Sequence, residues 1–331
     1  MQIYREVSPV LISRFGDREQ TVRLEVWATY VVLLNQTAVY GGFPQAKDID
    51  SSIVGKRKRD EGVMDVEASP YTLLRGQVPN LSKALLGQLK SSKTPPATLQ
   101  AGFGLLHALL DVLPGSLSNQ VPLVISTSKS VLSQSPTTST SALHVTCLSF
   151  LALFFATHAP PTFSNSLPGI TPVLLKSLGE RHPRIASESF RVFSKLLEAM
   201  KPVKVADWAN EVYNHAVLRL TNHDTDAEVR SCAEDSIAEL WICATDLMKV
   251  KDRKEWEAIC RTSGKTDGAV LVVTKVAREV AMDDDVWVNG CVNWLMTLLK
   301  KSGRGGKTNV FVALEVLLGR YAFFYTASKV G

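Results

Sequence analysis

One short segment of this chain occurs twice, and the repetition constrains the fold more than any other feature. Residues 9–18 and residues 172–181 both contain a proline, an aliphatic run, and then glycine, an acidic residue and arginine at matching positions. Weaker copies of the aliphatic run follow Pro79 and Pro122. Repetition of this kind is typical of a protein that stacks one helix–turn–helix unit several times.

The spacing of the copies indicates the type of repeat. Pro9 and Pro172 are 163 residues apart, which corresponds to three repeat steps. Residues 37–69 are polar and aperiodic, so most of them are interpreted as an insertion. Subtracting about 30 residues for it leaves roughly 44 per step, within the range of about 40–47 for HEAT and armadillo repeats and above the TPR and ankyrin periods.

Hydrophobic periodicity predicts an all-α protein without strands, a HEAT/ARM-type α-solenoid of six or seven helix pairs. We expect the second helix of each pair near residues 19–36, 96–112, 141–156, 184–200, 227–247, 267–281 and 307–321. The predicted organisation is a HEAT repeat over 1–36, an inserted disordered loop over 37–69, a continuous repeat array over 70–321 and an atypical tail over 322–331.

Local signals support these helices. Asp226, followed by Glu228, is typical of a helix start, because aspartate is a favoured N-cap residue. Gly102 and Gly104 are expected where neighbouring helices approach closely, since glycine otherwise weakens a helix. Four prolines are expected near the beginnings of first helices, where proline is tolerated: Pro79, Pro122, Pro168 and Pro172.

Composition excludes several classes of partner. The net charge of +5 and the pI of about 8.9 are too diffuse to predict nucleic-acid binding. The most apolar run, residues 142–156, is shorter than the roughly 20 residues that a membrane-spanning helix needs. The 5 cysteines form no CxxC pair and lie in apolar helical patterns, so we expect buried reduced thiols. Neither nucleic acid nor a membrane is an expected partner.

No pattern predicts catalysis. Residues 303–308 end like a phosphate-binding loop, but Lys301 stands where that motif requires its first glycine, and no strand precedes it. The histidines form no HExxH pattern and have no metal-ligand spacing with cysteines or carboxylates. We therefore expect no enzyme, with no catalytic residue, no cofactor and no metal. An ATPase that uses residues 303–308 is the least favoured alternative.

Two polar segments contain patterns that are typical of regulatory sites. Lys56, Arg57, Lys58 and Arg59 form a basic cluster within the predicted insertion. Four consecutive bases in an exposed loop are typical of a nuclear localisation signal read by an importin, and a solvated loop without a reader is the alternative. Ser135-Pro136, within the Ser/Thr-rich residues 126–141, is either a phosphorylation site or part of a polar linker.

Three further segments carry a more specific resemblance. They are residues 7–15 followed by Arg18-Glu19, residues 77–80 followed by 83–85, and residues 112–117. In this order and spacing they resemble the middle region of the cullin-associated, neddylation-dissociated protein family. The similarity continues weakly to about residue 320, whereas the insertion and the tail from residue 322 depart from the family pattern.

The resemblance implies a function. In that family a HEAT solenoid wraps around an unneddylated cullin bound to its RING subunit, and it promotes exchange of substrate-receptor modules on cullin–RING ubiquitin ligases. The family protein is far longer, and this chain resembles neither its N-terminal repeats nor its C-terminal portion. We therefore expect a non-catalytic segment of an SCF assembly factor, with a second chain completing the solenoid as a further partner.

The second helices of HEAT repeats line the concave face, where a partner meets their exposed polar residues. The candidate contacts at such positions are Arg23, Glu188, Arg191, Glu228 and Arg230. A nuclear-transport receptor or a phosphatase-type scaffold shares this repeat and is the alternative reading. The expected location is the nucleus and the cytoplasm.

Overall fold

A computed structural model describes residues 2–40, 69–90, 94–203, 207–222, 224–244, 267–279, 285–301 and 307–330. These residues form helices and connecting turns, and no strand occurs among them. The helical fold class predicted from the periodicity is therefore confirmed. The basic cluster Lys56–Arg59 and nearly all of the predicted insertion lie outside the described residues.

The chain divides into two compact units, and the boundary along the sequence falls between residues 174 and 175. The first unit contains α1 (Gln2–Ser13), α2 (Gln20–Tyr40), α3 (Pro70–Leu89), α4 (Pro96–Val112), α5 (Val121–Leu132), α6 (Ser141–Thr157), the short α7 (Pro160–Phe163) and the start of α8 (Leu167–Leu178). Helix α2 continues to Tyr40, past the predicted beginning of the insertion at residue 37. Ser69 is the N-cap of α3.

The second unit contains the remaining helices: α9 (Pro183–Ala199), α10 (Asp207–Thr221), α11 (Ala227–Cys243), α12 (Asp267–Glu279), α13 (Asp285–Lys301) and α14 (Lys307–Val330). The predicted N-cap at Asp226 is present, because its side chain accepts a hydrogen bond from the Glu228 amide at 2.9 Å. Helix α14 includes most of the predicted atypical tail.

The second helices of successive repeats begin at regular intervals. From α4 onward they start at residues 96, 141, 183, 227, 267 and 307, so neighbouring starts are 40 to 45 residues apart. This spacing matches HEAT and armadillo repeats and exceeds the roughly 34 residues of a TPR unit. The sequence therefore predicts both the type of repeat and the positions of its second helices.

The duplicated segment occupies matching places in its two repeats. Residues 9–18 and 172–181 each include the end of a first helix and lie before a second helix, which begins at Gln20 in one copy and at Pro183 in the other. Phe15 and Leu178, at equivalent positions, are both fully buried. The duplicated pattern therefore reflects packing, because in each copy a buried apolar side chain holds the turn in place.

The second helices form the packed interior of each unit. In the first unit α2, α4 and α6 pack side by side, and in the second unit α9, α11, α12 and α14 do the same; first helices contact one another less extensively. The Phe103 and Phe150 rings, 5.6 Å apart between centroids, join α4 to α6. This arrangement leaves the polar sides of neighbouring second helices next to each other.

The prolines differ partly from expectation. Pro122 and Pro168 are the second residues of α5 and α8, as predicted, but Pro79 and Pro172 lie inside α3 and α8. Buried apolar residues recur at helical spacing from Tyr71 to Leu81, so tertiary packing carries α3 through its proline. Among the described helices, none combines the length and apolar character needed to cross a membrane.

A candidate protein-binding surface on the second helices

An ion-pair cluster joins two neighbouring second helices of the second unit. Arg191 on α9 contacts Glu188 one turn earlier, and its other terminal nitrogen donates to Glu228 Oε1 on α11 at 2.8 Å. Partial burial acts to lower the pKa of Arg191, but the hydrogen bond with Glu228 and the charge of Glu188 outweigh it and raise that pKa. Three of the five predicted contact residues therefore meet at one place.

A second cluster joins α11 to α12. Lys275 Nζ lies 2.7 Å from Glu239 Oε1 and 3.5 Å from Asp235 Oδ1. Burial lowers the pKa of Lys275, but the hydrogen bond and charge of Glu239 outweigh this and raise that pKa. The side chain of Glu239 is only 8% exposed, so Lys275 neutralises a carboxylate that has little access to water.

Together these residues form a charged strip across three adjacent helices, which we call the α9–α12 strip. Its members are Glu188, Arg191, Lys195, Glu198, Glu228, Asp235, Glu239 and Lys275. Sequence reasoning selected three of them and missed the pairing of α11 with α12. The spacing of Lys195 and Glu198 on one helix is a signal that could have been used, whereas nothing local links Glu239 to Lys275.

The second helices of the first unit present a different surface. Their half-buried or exposed positions include several small residues, such as Ala101, Gly104, Ser149 and Ala152. Among the described residues of α2, α4 and α6, no lysine or arginine pairs with a carboxylate, and the carboxylate of Asp111 lies 3.0 Å from His107 Nδ1 within α4. Charge on second helices is therefore concentrated in the second unit.

The other two predicted contacts face the turns of their own repeats. Arg23 on α2 donates to the Asp17 carbonyl at 3.0 Å, and Arg230 on α11 donates to the Asn222 carbonyl at 3.3 Å. In both repeats an arginine near the start of the second helix satisfies a carbonyl of the preceding turn. This geometry gives each side chain a structural role, and their part in partner binding stays a prediction.

A third arginine of this kind was not found from the sequence. Arg219 on α10 donates to the carbonyl oxygens of Leu178 and Glu180 at 2.7 and 2.9 Å, and burial lowers its pKa. It thereby ties a first helix to the turn of the preceding repeat. Its acceptors lie about 40 positions away in the chain, so no local motif predicts the contact.

The described residues contain no group of three or more histidine, cysteine, aspartate or glutamate side chains that could hold a metal ion. Cys147, Cys232, Cys243 and Cys291 are buried and form no disulfide with the described residues, and Cys260 lies outside them. Burial raises the pKa of Cys147 to about 12, so this thiol stays protonated and unreactive near neutral pH.

Comparison with known proteins shows which family this chain is similar to. A family model described as "CAND1-like, TPR repeats" matches residues 115–237, which include α9 and most of α11. Cullin-associated NEDD8-dissociated protein 1 of Drosophila melanogaster is 30% identical over 241 residues, covering 70% of this chain. The protein of the same name from Dictyostelium discoideum is 24% identical over 334 residues, covering 95% of this chain. The chain is similar to the cullin-associated NEDD8-dissociated proteins. The resemblance predicted from three short segments is thus confirmed.

The similarity covers a limited part of these relatives. The chain spans 18% of the Drosophila melanogaster protein and 24% of the Dictyostelium discoideum protein. The cullin-associated NEDD8-dissociated proteins are therefore several times longer than the part that this chain matches.

Solved structures support the fold independently. The structure of importin beta matches with a TM-score of 0.57 at 11% identity, over 96% of this chain and 45% of that chain. A designed armadillo repeat protein matches with a TM-score of 0.51 at 10% identity, over 93% of this chain and 99% of that chain. At these identities the likeness concerns the fold alone, which is a HEAT/armadillo solenoid scaffold.

Proposed function

We propose that this chain is a non-catalytic scaffold segment that binds a cullin and its RING subunit in the unneddylated state. In this role it promotes the assembly of SCF-type ubiquitin ligases and the exchange of their substrate receptors. The observation that carries the proposal is similarity to cullin-associated NEDD8-dissociated proteins over 70% to 95% of the chain. A repeat array suits this role because it presents one long surface to a large partner.

The α9–α12 strip is the surface that we assign to the partner. The Arg191–Glu228 and Lys195–Glu198 pairs of this strip lie at the protein surface, where such pairs contribute only about 0–1 kcal/mol each to stability. They therefore exchange partners at little cost. Arg191 is 45% exposed and Glu228 is 49% exposed, so both reach a docked protein while still contacting each other.

Tight binding requires more than this segment. A solenoid holds a large partner through many weak contacts along its repeats, and linked contacts raise the effective concentration of one another. Because the chain matches 18% to 24% of its relatives, we infer that it binds a cullin–RING pair weakly when alone. Repeats supplied by a second polypeptide, or by a longer chain, restore tight binding.

A titration tests this function. The purified chain is added to unneddylated cullin–RING complex and to the neddylated form, with and without the neighbouring repeats of a cullin-associated relative. We expect weak binding alone, tighter binding when completed, and preference for the unneddylated form. Absence of binding even when completed would remove the cullin assignment, and tight binding by the chain alone would overturn the segment argument.

Charge-reversal variants locate the surface in the same assay. Arg191→Glu places three carboxylates together in the α9–α12 strip, so affinity for the completed complex should fall about ten-fold, or about 1.4 kcal/mol. Lys129→Glu is the matched control, since Lys129 is exposed on α5 and lies outside the strip. Equal effects of the two substitutions would indicate that the partner senses net charge and not this surface.

The basic cluster at Lys56–Arg59 supports a nuclear as well as a cytoplasmic pool. Its four consecutive positive charges suit recognition by an importin. Replacing all four with alanine should lower the nuclear fraction of a tagged chain without changing its thermal stability. Recovery of a Ran-type GTPase or a phosphatase instead of a cullin from the native cell would favour the transport-receptor or phosphatase-scaffold alternative.

A further inference from the structure

Five hydroxyl residues of this chain directly precede a proline, and the structure distinguishes one from the other four. The five are Ser8, Ser69, Thr94, Ser135 and Thr171. Proline-directed protein kinases act on such a pair when the hydroxyl is accessible and the backbone around it is extended. The residue before a proline is biased toward extended conformations, so accessibility becomes the deciding property.

Two of the five hydroxyls are buried inside first helices. Ser8 is 0% exposed and its Oγ lies 3.0 Å from the Tyr30 hydroxyl. Thr171 is 7% exposed and donates to the Leu167 carbonyl at 2.7 Å. A kinase reaches neither of them without unfolding the helix that holds it.

Two more hydroxyls are occupied at helix boundaries. Ser69 is the N-cap of α3, and its Oγ accepts a hydrogen bond from the Thr72 amide at 3.1 Å. Thr94 precedes α4 and donates to the Gln88 carbonyl at 2.9 Å. Phosphorylation would remove the proton that Thr94 donates, and at Ser69 it would first have to displace the hydroxyl from its capping position.

Ser135 differs from all four because its side chain is exposed and forms no hydrogen bond with the described residues. It lies in the connection between α5 and α6 and has no helical or turn assignment. The segment that follows is ordered, because Thr140 Oγ1 accepts from the Thr137 amide at 2.8 Å and lies 2.9 Å from Thr137 Oγ1. Ser135 is therefore presented on a defined loop with a free hydroxyl.

We propose that Ser135 is a phosphorylation site for a proline-directed serine/threonine kinase that uses ATP. The Ser135 Oγ attacks the γ-phosphorus of ATP, the bond from that phosphorus to the bridging oxygen breaks, and ADP leaves with the bond's electron pair. The hydroxyl proton passes to a base of the kinase. The product carries about −1.5 to −2 charges at this loop. Because the Ser135 side chain forms no hydrogen bond with the described residues, phosphorylation changes the charge of the loop and leaves the fold intact.

The first test compares the five sites in the folded chain. The purified full chain is incubated with a proline-directed kinase and ATP, and phosphate is mapped by mass spectrometry. We expect about ten-fold more phosphate on Ser135 than on any of the other four, because Ser8 and Thr171 require local unfolding and the hydroxyls of Ser69 and Thr94 are held in hydrogen bonds. A tryptic digest of the same chain is the control, in which sites that the fold protects become substrates. Dominant modification of another site in the folded chain would overturn the proposal.

Variants and native material complete the test. Ser135→Ala and Pro136→Ala should each remove most of the incorporated phosphate, whereas Ser69→Ala should leave the amount unchanged. Ser135→Asp should leave the thermal unfolding temperature unchanged. A marked decrease would contradict the claim that the Ser135 hydroxyl makes no hydrogen bond that stabilises the fold. The chain recovered from its own cells with phosphatase inhibitors should carry phosphate on Ser135. Its absence there would overturn the proposal even if the purified chain is modified.

Discussion

Gly102 and Gly104 lie two positions apart on α4 and meet different surroundings. A Cβ atom on Gly102 would lie 2.4 Å from Leu89 Cδ2 of α3, whereas a Cβ on Gly104 would meet nothing within 4 Å. Gly102 therefore permits the close approach of two helices that the sequence predicts. The same expectation is wrong for Gly104, because that residue faces away from the neighbouring helix.

This difference predicts opposite effects of one substitution. Gly104→Ala should raise the free energy of unfolding by about 0.5–1 kcal/mol, since alanine has the higher helix propensity. Gly102→Ala should lower it by about 1–2 kcal/mol, because overpacking against Leu89 outweighs the gain in propensity. Urea denaturation of the two variants measures both changes. Stabilisation by both substitutions would show that Leu89 shifts at no cost.

His158 holds the turn between α4 and α5 against the end of α6. Its Nε2 accepts a hydrogen bond from the Leu117 amide at 3.2 Å, and its Nδ1 donates to the Phe154 carbonyl at 2.9 Å. The ring is therefore neutral in the fold. Burial lowers the pKa of His158, and the hydrogen bond to Phe154 opposes this only in part.

The lowered pKa of His158 makes stability depend on pH. Above the ordinary histidine pKa of 6.5 the ring is neutral in both folded and unfolded chains, so its contribution is fully present. As the pH falls below that value, the unfolded chain gains a proton that the folded chain resists, and stability is lost. Between pH 7.5 and 5.5 we expect a loss of about 1 kcal/mol from this residue.

A comparison with His158→Gln isolates this contribution in thermal unfolding at the two pH values. Burial also lowers the pKa of His215, so the wild-type chain has more than one pH-dependent group. The difference between the wild type and the variant should shrink at pH 5.5. An identical pH dependence of both proteins would rule out the neutral state assigned to His158.

At the level of helices, adjacent repeats are joined by polar contacts as well as by apolar packing. Tyr4 of α1 and Gln77 of α3 show this in the first unit, where the Gln77 amide donates to the Tyr4 carbonyl near the interior proline Pro9. Lys275 of α12 and Glu239 of α11 show it in the second unit. Such contacts set the alignment of one repeat on the next, because a shift along the helix axis would leave them unpaired.

The contact between α11 and α12 predicts a measurable stability effect. Lys275→Met leaves the nearly buried carboxylate of Glu239 without its cation, so the free energy of unfolding should fall by about 1–3 kcal/mol. Lys195→Met is the matched control. Its pair with Glu198 is 45% and 44% exposed, and we expect a loss below about 1 kcal/mol.

A double substitution checks the assigned cause. Adding Glu239→Gln to Lys275→Met removes the unpaired charge, so part of the lost stability should return in urea denaturation. If the double variant were as unstable as the sum of the two single variants, the pair would contribute no coupling and the assignment would be wrong.

At the level of the whole chain, several apolar side chains of the first repeat are exposed. Ile3, Val7 and Val10 lie along one side of α1 and are 53%, 46% and 61% exposed. Val32 and Val39 on α2 are 57% and 68% exposed. A row of exposed apolar side chains such as that on α1 favours association with another protein surface.

The purified chain is therefore expected to self-associate as its concentration rises. Sedimentation velocity should show an increasing average mass, and Val7→Lys with Val10→Glu should return the chain toward a monomer. Leu218→Lys, at a position that is 62% exposed on α10, is the control and should have little effect. A wild-type chain that remains monomeric at all concentrations would contradict this expectation.

The starts of the second helices and the Asp226 cap were predictable from the sequence, because each depends on residues within one turn or one helix of each other. The repeat type was predictable because similar segments recur along the chain at regular spacing. The same holds for the charged side of α9, where Glu188, Arg191, Lys195 and Glu198 recur at helical spacing. Local periodicity thus indicates the fold class and, for a strongly amphipathic helix such as α9, the side that faces water.

The partners of those exposed residues depend on how repeats stack. Arg219 meets a turn 39 to 41 residues earlier, His158 holds an amide 41 residues earlier, and Gln77 meets a carbonyl 73 residues earlier. The sequence also does not distinguish Ser135 from the other four hydroxyl residues that precede a proline. The structure does, because Ser8 and Thr171 are buried and Ser69 and Thr94 are hydrogen-bonded. Such pairings arise when helices dock, since packing geometry between repeats determines which distant groups come within hydrogen-bonding distance.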